Sequence, residues 1–329
     1  MRINLAMESK EGAWTLNYRK DVTDGFIKLG HNCHFVDLEE LNLFPETLAK
    51  APPCDVWLIG GSSNWRSLDV CVVAHDRKEK VVAYVDGGPE VPGFIMYKEV
   101  AKQIERNTKE CWPYIDGWFF NHKAYHRWFT AFYKDEYEKR HIRGYVIPYP
   151  LDPVRYTESP NKSMILFPGK MIYLKQPILA AKLLEPFKQS VIFSQSDDID
   201  ARAEMKHYIS LLREDGYDVH TNVKGADYLE LLAQAKVVVC TSTGESACVE
   251  ILEGVMSGAV PVVPDLPEFM EYPFWCRYEP YLISDFRNTV GNARQNHYRE
   301  ELEAVIDQHY HINVVKQMIK AIYECTGVK

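Results

Sequence analysis

Two glutamates, Glu245 and Glu253, stand with seven residues between them in a stretch that runs from an apolar strand, through Thr241, Ser242, Thr243 and Gly244, to Gly258 and Pro261. The polar loop is expected to open a helix near Ser246. A helix start presents backbone N–H groups without intrahelical partners, and these attract anions, phosphate in particular. Upstream, Gly169, Lys170 and Lys175 follow another apolar run that ends at Phe167. Two lysines beside a departing diphosphate would stabilise the charge that develops as the bond to it breaks.

Positioning these loops requires a parallel sheet. Short apolar runs alternate with helix-length amphipathic segments, the pattern of α/β units. Strands are expected at 2–7, 34–36, 55–60, 80–85, 117–121 and 144–147. After the Pro148, Pro150 and Pro153 cluster, a linker signal, they restart at 164–167, 191–194, 218–221, 237–241 and 260–263. Helices are expected at 178–187 and 228–234 and, near the end, at 298–309 and 312–325. This gives an N-terminal domain over 1–152 and a C-terminal one over 153–329, with the last helix able to pack back on the first. Sites favour clefts between such domains.

The composition, 46% hydrophobic and 26% charged over 329 residues, fits two ordinary cores. A net charge of -8 argues against a surface that grips nucleic acid throughout. No run of eighteen apolar residues predicts a membrane span, and the N-terminus lacks the apolar stretch of a signal peptide. The eight cysteines form no CxxC pair and read as reduced, mostly buried thiols of a cytoplasmic protein.

The stretch from Ser242 to Pro261 resembles the Glu-x7-Glu motif of the large retaining glycosyltransferase family with the GT-B fold. Gly169-Lys170 with Lys175 resembles that family's Gly-Arg-(four residues)-Lys phosphate loop, and the residues from Ile147 through Asp152 to Tyr156 resemble its entry into the second domain. The resemblance implies an α/β GT-B fold: two Rossmann-like domains, an acceptor site on the first and a nucleotide-sugar site on the second. It implies transfer of a sugar from a nucleoside-diphosphate sugar, a uridine one in the first instance, to a hydroxyl of a glycan or small molecule, with retention of configuration and with no metal or other cofactor. Glu245 would meet donor-sugar hydroxyls and Glu253 the ribose, while Lys170 and Lys175 hold the diphosphate. Gly169, Ser242, Ser246, Ala247, Cys248 and Val249 would line the donor. Where the family has a His that meets the sugar, this sequence has Asp86, followed by Gly87. With Gly12 these two form the expected acceptor side. The sequence departs from the family at Ser246, Ala247 and Cys248, where Gly-Phe-Gly is usual, and at Lys170, which cannot make the fork contact of an Arg.

Other readings compete. A dehydrogenase would carry G-x-G-x-x-G after a strand, and none is present. A silent sugar-nucleotide-binding relative fits the altered loop. The segment 122–143 interleaves Lys123, Arg127, Lys134, Lys139, Arg140 and Arg143 with Tyr125, Trp128, Phe129, Phe132 and Tyr133. Such a segment suits stacking on bases, and a hydroxymethylated base in DNA is the alternative acceptor. It better suits an amphipathic helix with its aromatics in the core and its charges facing water. Asp198 and Asp200 spell a metal motif that helix capping explains better. The His31/His34 and His122/His126 pairs lack a second cluster for zinc.

Overall fold

The computed structural model describes residues 1–7, 14–38, 46–60, 66–85, 98–195, 203–245, 247–272, 276–296 and 298–328. Gly12, Asp86, Gly87, Asp198, Asp200 and Ser246, all singled out above, lie outside the described residues.

The chain forms two compact units. The first comprises Met1–Leu151, Glu245–Ala247 and Gln308–Lys329; the second comprises Asp152–Gly244 and Cys248–Asp307. Each holds a six-stranded parallel sheet. In the first unit the strands are β1 (Arg2–Met7), β2 (Asn32–Asp37), β3 (Val56–Gly60), β4 (Lys80–Tyr84), β5 (Gly117–Phe120) and β6 (Arg143–Val146). Their order is β2-β1-β3-β4-β5-β6. In the second they are β7 (Met164–Pro168), β8 (Val191–Gln195), β9 (Asp218–Thr221), β10 (Ala235–Val239), β11 (Val260–Pro264) and β12 (Arg277–Tyr278), ordered β12-β11-β10-β7-β8-β9. Strands β7 and β11 are apolar along their whole length, as suits a parallel sheet with helices covering both faces. All five residues of β7 and of β11 are buried.

The described helices are α1 (Trp14–Lys28), α2 (Glu46–Lys50), α3 (Ser67–Asp76), α4 (Lys98–Cys111), α5 (Lys123–Phe132), α6 (Lys134–Arg140), α7 (Pro177–Leu184), α8 (Ala203–Glu214), α9 (Gly225–Gln234), α10 (Val249–Met256), α11 (Ile283–Gln295), α12 (Arg299–His309) and α13 (His311–Thr326). Among the described residues no helix is long and apolar enough to cross a membrane.

Two sequence expectations change in detail. The helix expected to open near Ser246 begins instead at Val249, because Cys248 takes a left-handed backbone (φ 47°) that an α-helix cannot incorporate. The segment 122–143 is two helices, α5 and α6, broken at Tyr133 and closed by His141 in the left-handed region (φ 50°). Tyr125, Phe129 and Tyr133 are buried, and Phe129 stacks on Trp112 at 5.5 Å between ring centroids. These three rings are core, packed among Trp112, Trp118 and Phe120, and so do not offer faces to bases. Phe132 is the exposed member of the set.

The C-terminal helix α13 completes the first unit. Val315 packs where a side chain on Gly25 of α1 would sit, 2.6 Å from a Cβ placed there, and Cys325 does the same at Gly117 of β5, at 2.7 Å. His311, at the start of α13, meets Asp24 of α1 at 2.8 Å. In the second unit Gly254 lets α10 approach β10: a Cβ there would lie 2.5 Å from Val238 Cγ1.

Candidate functional site

The second sheet reverses direction between β7 and β10. β7 comes first in sequence, and the chain builds outward through β8 and β9, then returns to β7's other side with β10 and β11. Loops leaving adjacent strands at such a reversal diverge and open a crevice at the strands' carboxyl ends, where open α/β sheets bind ligands. The loops leaving β7 and β10 here are the two singled out in the sequence, and they are tied together. Thr241 Oγ1 donates to the Lys175 carbonyl oxygen at 2.7 Å, and the Thr243 N–H donates to that of Leu174 at 3.1 Å.

Within the β7 loop, Gly169 borders open space on the side where a Cβ would project. Its N–H donates to the Ser194 carbonyl oxygen at 3.1 Å, and buried Met171 anchors the segment. A 3-10 turn over Tyr173–Lys175 then presents the Lys175 side chain. Its Nζ lies 3.5 Å from Glu250 Oε2 with the side chain 12% exposed. Glu250 was not singled out from the sequence, although its place in the first turn of α10, three residues before Glu253, is visible there. In the β10 loop the hydroxyls of Ser242 and Thr243 are buried with no hydrogen-bond partner among the described residues. Orphaned buried hydroxyls are rare, and an oxygen-rich ligand would satisfy them. Ala247 and Cys248 are buried, and Val249 opens α10.

Glu253 is buried in α10, and its carboxylate is gripped from two sides. Tyr156 Oη donates to Oε1 at 3.1 Å and Tyr228 Oη to Oε2 at 3.1 Å. Burial, reinforced by the neighbouring Glu250, pushes the carboxyl up to about 7 against the pull of the two hydroxyls and Arg155. Burial beside these two glutamates likewise raises the Tyr228 hydroxyl. Tyr156 belonged to the domain-entry pattern in the sequence and Tyr228 to a predicted helix; nothing local links either to Glu253.

Glu245 is buried and groups with the first unit. Its carbonyl oxygen lies 3.2 Å from His122 Nε2. His122 Nδ1 accepts the Tyr125 N–H at 3.0 Å, capping α5. A ring whose Nδ1 accepts must carry its proton on Nε2 when neutral, so Nε2–H donates to Glu245. His126 stacks on Phe120 with ring centroids 4.7 Å apart, and its Nε2 meets Tyr137 Oη at 3.3 Å. Both histidines thus have structural partners.

The arrangement in the second unit therefore sets cationic and hydroxyl groups on two joined loops and a carboxylate on the helix that follows. It gathers Gly169, Lys170, Lys175, Ser242 and Glu253 on neighbouring loops and one helix. The described residues say nothing of Gly12, Asp86, Gly87 or Ser246.

Neither a protein-family model nor a curated protein matches the sequence. Solved structures do match in fold. HepE of Anabaena, solved with UDP and glucose, aligns over 98% of this chain and all of its own, at 14% identity and a TM-score of 0.71. The sucrose-phosphate synthase of Thermosynechococcus elongatus aligns over the whole of both chains at 11% identity and a TM-score of 0.68. The lipopolysaccharide outer core galactosyltransferase WaaB aligns over 98% of this chain and 99% of its own at 14% identity and a TM-score of 0.63. With its two six-stranded parallel sheets and flanking helices, the chain has the GT-B fold.

Proposed function

We propose that the chain is a glycosyltransferase that moves a sugar from a nucleoside-diphosphate sugar, a uridine one first, to a hydroxyl acceptor with retention of configuration. The observation that carries this reading is the joined pair of loops at the β7/β10 reversal, which carry Lys175 and two orphaned hydroxyls, with the gripped carboxylate of Glu253 on the helix that follows. HepE, similar in fold, was solved with UDP-glucose, which supports the choice of donor.

In this reading Lys170 and Lys175 hold the diphosphate, and Ser242 donates its hydroxyl to it. Glu253 accepts from the ribose, and Glu245 meets the sugar. As the bond from the anomeric carbon to the diphosphate oxygen breaks, the lysines stabilise the negative charge left on that oxygen. The acceptor oxygen bonds to the same face of the anomeric carbon, and its proton passes to the departing phosphate. Two lysines perform the charge stabilisation that a metal would otherwise supply. The sequence resemblance assigns Asp86, Gly87 and Gly12 to the acceptor. A glycan or small-molecule acceptor is favoured over a DNA base because Tyr125, Phe129 and Tyr133 are core residues.

The test is donor hydrolysis. The protein is incubated with UDP-, GDP- and ADP-sugars without metal, and released nucleoside diphosphate is read by mass spectrometry. Release from one donor, lost in Glu245→Ala and Lys175→Ala, is expected. No release, together with no thermal stabilisation by any nucleotide, overturns the proposal.

A further inference from the structure

We propose that Cys240 and Cys248 form a redox pair: peroxide joins their sulfurs in a disulfide that closes a ring around the loop 241–247, and reduction by a thiol reopens it. That loop carries Ser242, Thr243 and Glu245, so the bond acts on ligand binding there. The consequence for nucleotide binding rests on the donor-site reading above; the disulfide itself does not.

The two sulfurs are in contact. Cys240 directly follows β10 and Cys248 caps α10, with seven residues between them. Both are thiols of the second unit, and the Cys248 thiol donates to Cys240 Sγ at 3.7 Å. A disulfide is about 2.05 Å long, so the sulfurs have less than about 2 Å to close. They are 4% and 5% exposed, an opening that suits a reagent the size of peroxide. Cys71 and Cys111 are also hydrogen-bonded to each other, but both are wholly enclosed and stand on the packed helices α3 and α4. That second pair has contact without an opening or a yielding loop.

Peroxide is the oxidant, and the step balances with it. One sulfur, as its thiolate, attacks a peroxide oxygen; the O–O bond breaks, giving a sulfenic acid and water. The neighbouring sulfur then attacks the sulfenic sulfur. An S–S bond forms, and the hydroxyl leaves with the second thiol's proton as another water. A pair of thiols and one peroxide thus give one disulfide and a pair of waters. A partner already in contact captures the sulfenic acid before a further peroxide carries it to the irreversible sulfinic acid.

The frame around the pair is fixed, so the loop takes up the change. The Cys240 N–H donates to the Val262 carbonyl oxygen at 2.9 Å, and the Cys240 carbonyl oxygen accepts from Tyr278 Oη at 3.0 Å. The Cys248 carbonyl oxygen accepts the Ile251 N–H at 3.0 Å, and Gly254 seats α10 against Val238. Inside the loop, the Ser242 N–H donates to Cys240 Sγ at 3.5 Å. Once that sulfur turns toward Cys248, the N–H loses its acceptor, and the orphaned hydroxyls of Ser242 and Thr243 leave their places.

The experiment treats the full chain, wild type and Cys240→Ser, with stoichiometric hydrogen peroxide. A glutamate-specific protease, which cuts after Glu245 between the two cysteines, then digests it without reductant, and the peptides are mapped by mass spectrometry. Calorimetry measures UDP binding before oxidation, after it, and after dithiothreitol. In the wild type the Cys240 and Cys248 peptides should become linked, dithiothreitol should part them, and Cys71 and Cys111 should stay thiols. UDP affinity should fall by about tenfold, the scale of one hydrogen bond to a charged group, and return on reduction. Thermal melts confirm that Cys240→Ser is folded, and its UDP affinity should not respond to peroxide; the wild-type map stands without it. A map in which both thiols persist, or in which either becomes a sulfinic acid without linkage, overturns the inference. A linkage that leaves UDP affinity unchanged overturns the effect on the loop. If the reduced wild type binds no nucleotide, the donor-site reading fails, and the map alone still decides the disulfide.

Discussion

Replacing Glu253 by glutamine should make the protein more resistant to unfolding at alkaline pH, although Glu253 is assigned to the site. The carboxyl is buried and pushed from 4.5 to about 7. A carboxyl whose folded value lies above its unfolded one loses its proton more readily when unfolded. Its contribution to stability is therefore complete below about pH 4.5 and is lost as pH rises through about 7. At 1.36 kcal/mol per pH unit the full loss is about 3 kcal/mol, most of it between pH 5 and 8. Glutamine keeps the shape, accepts from one tyrosine through its carbonyl and donates to the other through its amide, and it does not titrate. Thermal melts of wild type and Glu253→Gln at half-unit pH steps isolate the effect, because other titrating groups are common to both. At roughly 2–4 °C per kcal/mol for a body of 150–250 residues, the variant's melting temperature should climb several degrees relative to wild type between pH 5 and 8. Parallel curves would refute the reasoning and mean that Glu253 ionises no less readily than a solvated carboxyl.

Three further outcomes are expected. Buried His309 donates from Nδ1 to the Tyr149 carbonyl oxygen at 2.7 Å, and burial lowers it to about 4. Its stabilising effect, present above pH 6.5, should be lost as pH falls through about 4, costing the first unit about 3 kcal/mol; His309→Asn should flatten that acid limb in urea titrations. Gly254→Ala should destabilise the second unit by about 1–3 kcal/mol, since the new methyl meets Val238 at 2.5 Å; an unchanged urea midpoint would contradict the close approach of α10 to β10. Phe129→Ala should cost about 3–5 kcal/mol in stability while leaving UDP affinity of the folded fraction unchanged, as core packing rather than ligand stacking requires.

The strands could be read from the sequence because a buried parallel strand is an apolar run, and 164–167 and 237–239 are such runs. β12 escaped notice because two residues, Arg277 and Tyr278, carry no period. The β7 and β10 loops stood out by their small and charged residues, but the sequence contains no statement that they meet; that follows from strand order, which places β7 beside β10. The partners of Glu253 were hidden for the same reason. Tyr156 lies 97 residues away and Tyr228 lies 25 away, distances at which no helical or strand period applies. Local rules also misplaced the start of α10, because a cysteine in the left-handed region leaves no compositional trace. In the segment 122–143, alternating aromatic and basic residues were compatible with two opposite placements of the rings, and only packing against Trp112 and Trp118 decides between them.

The helix α13 closes a unit whose other parts are almost all made much earlier. On a ribosome, Leu151 is joined about 157 residues before Gln308, which at roughly 5–20 residues per second is a delay on the order of ten seconds. Throughout that interval Gly25 and Gly117 face outward without Val315 and Cys325 over them, and Asp24 waits for His311. The nascent first half is thus a sheet with an uncovered apolar seam, while the second unit, whose last residue is Asp307, can finish folding before it. For this chain, the half synthesised first is the half completed last.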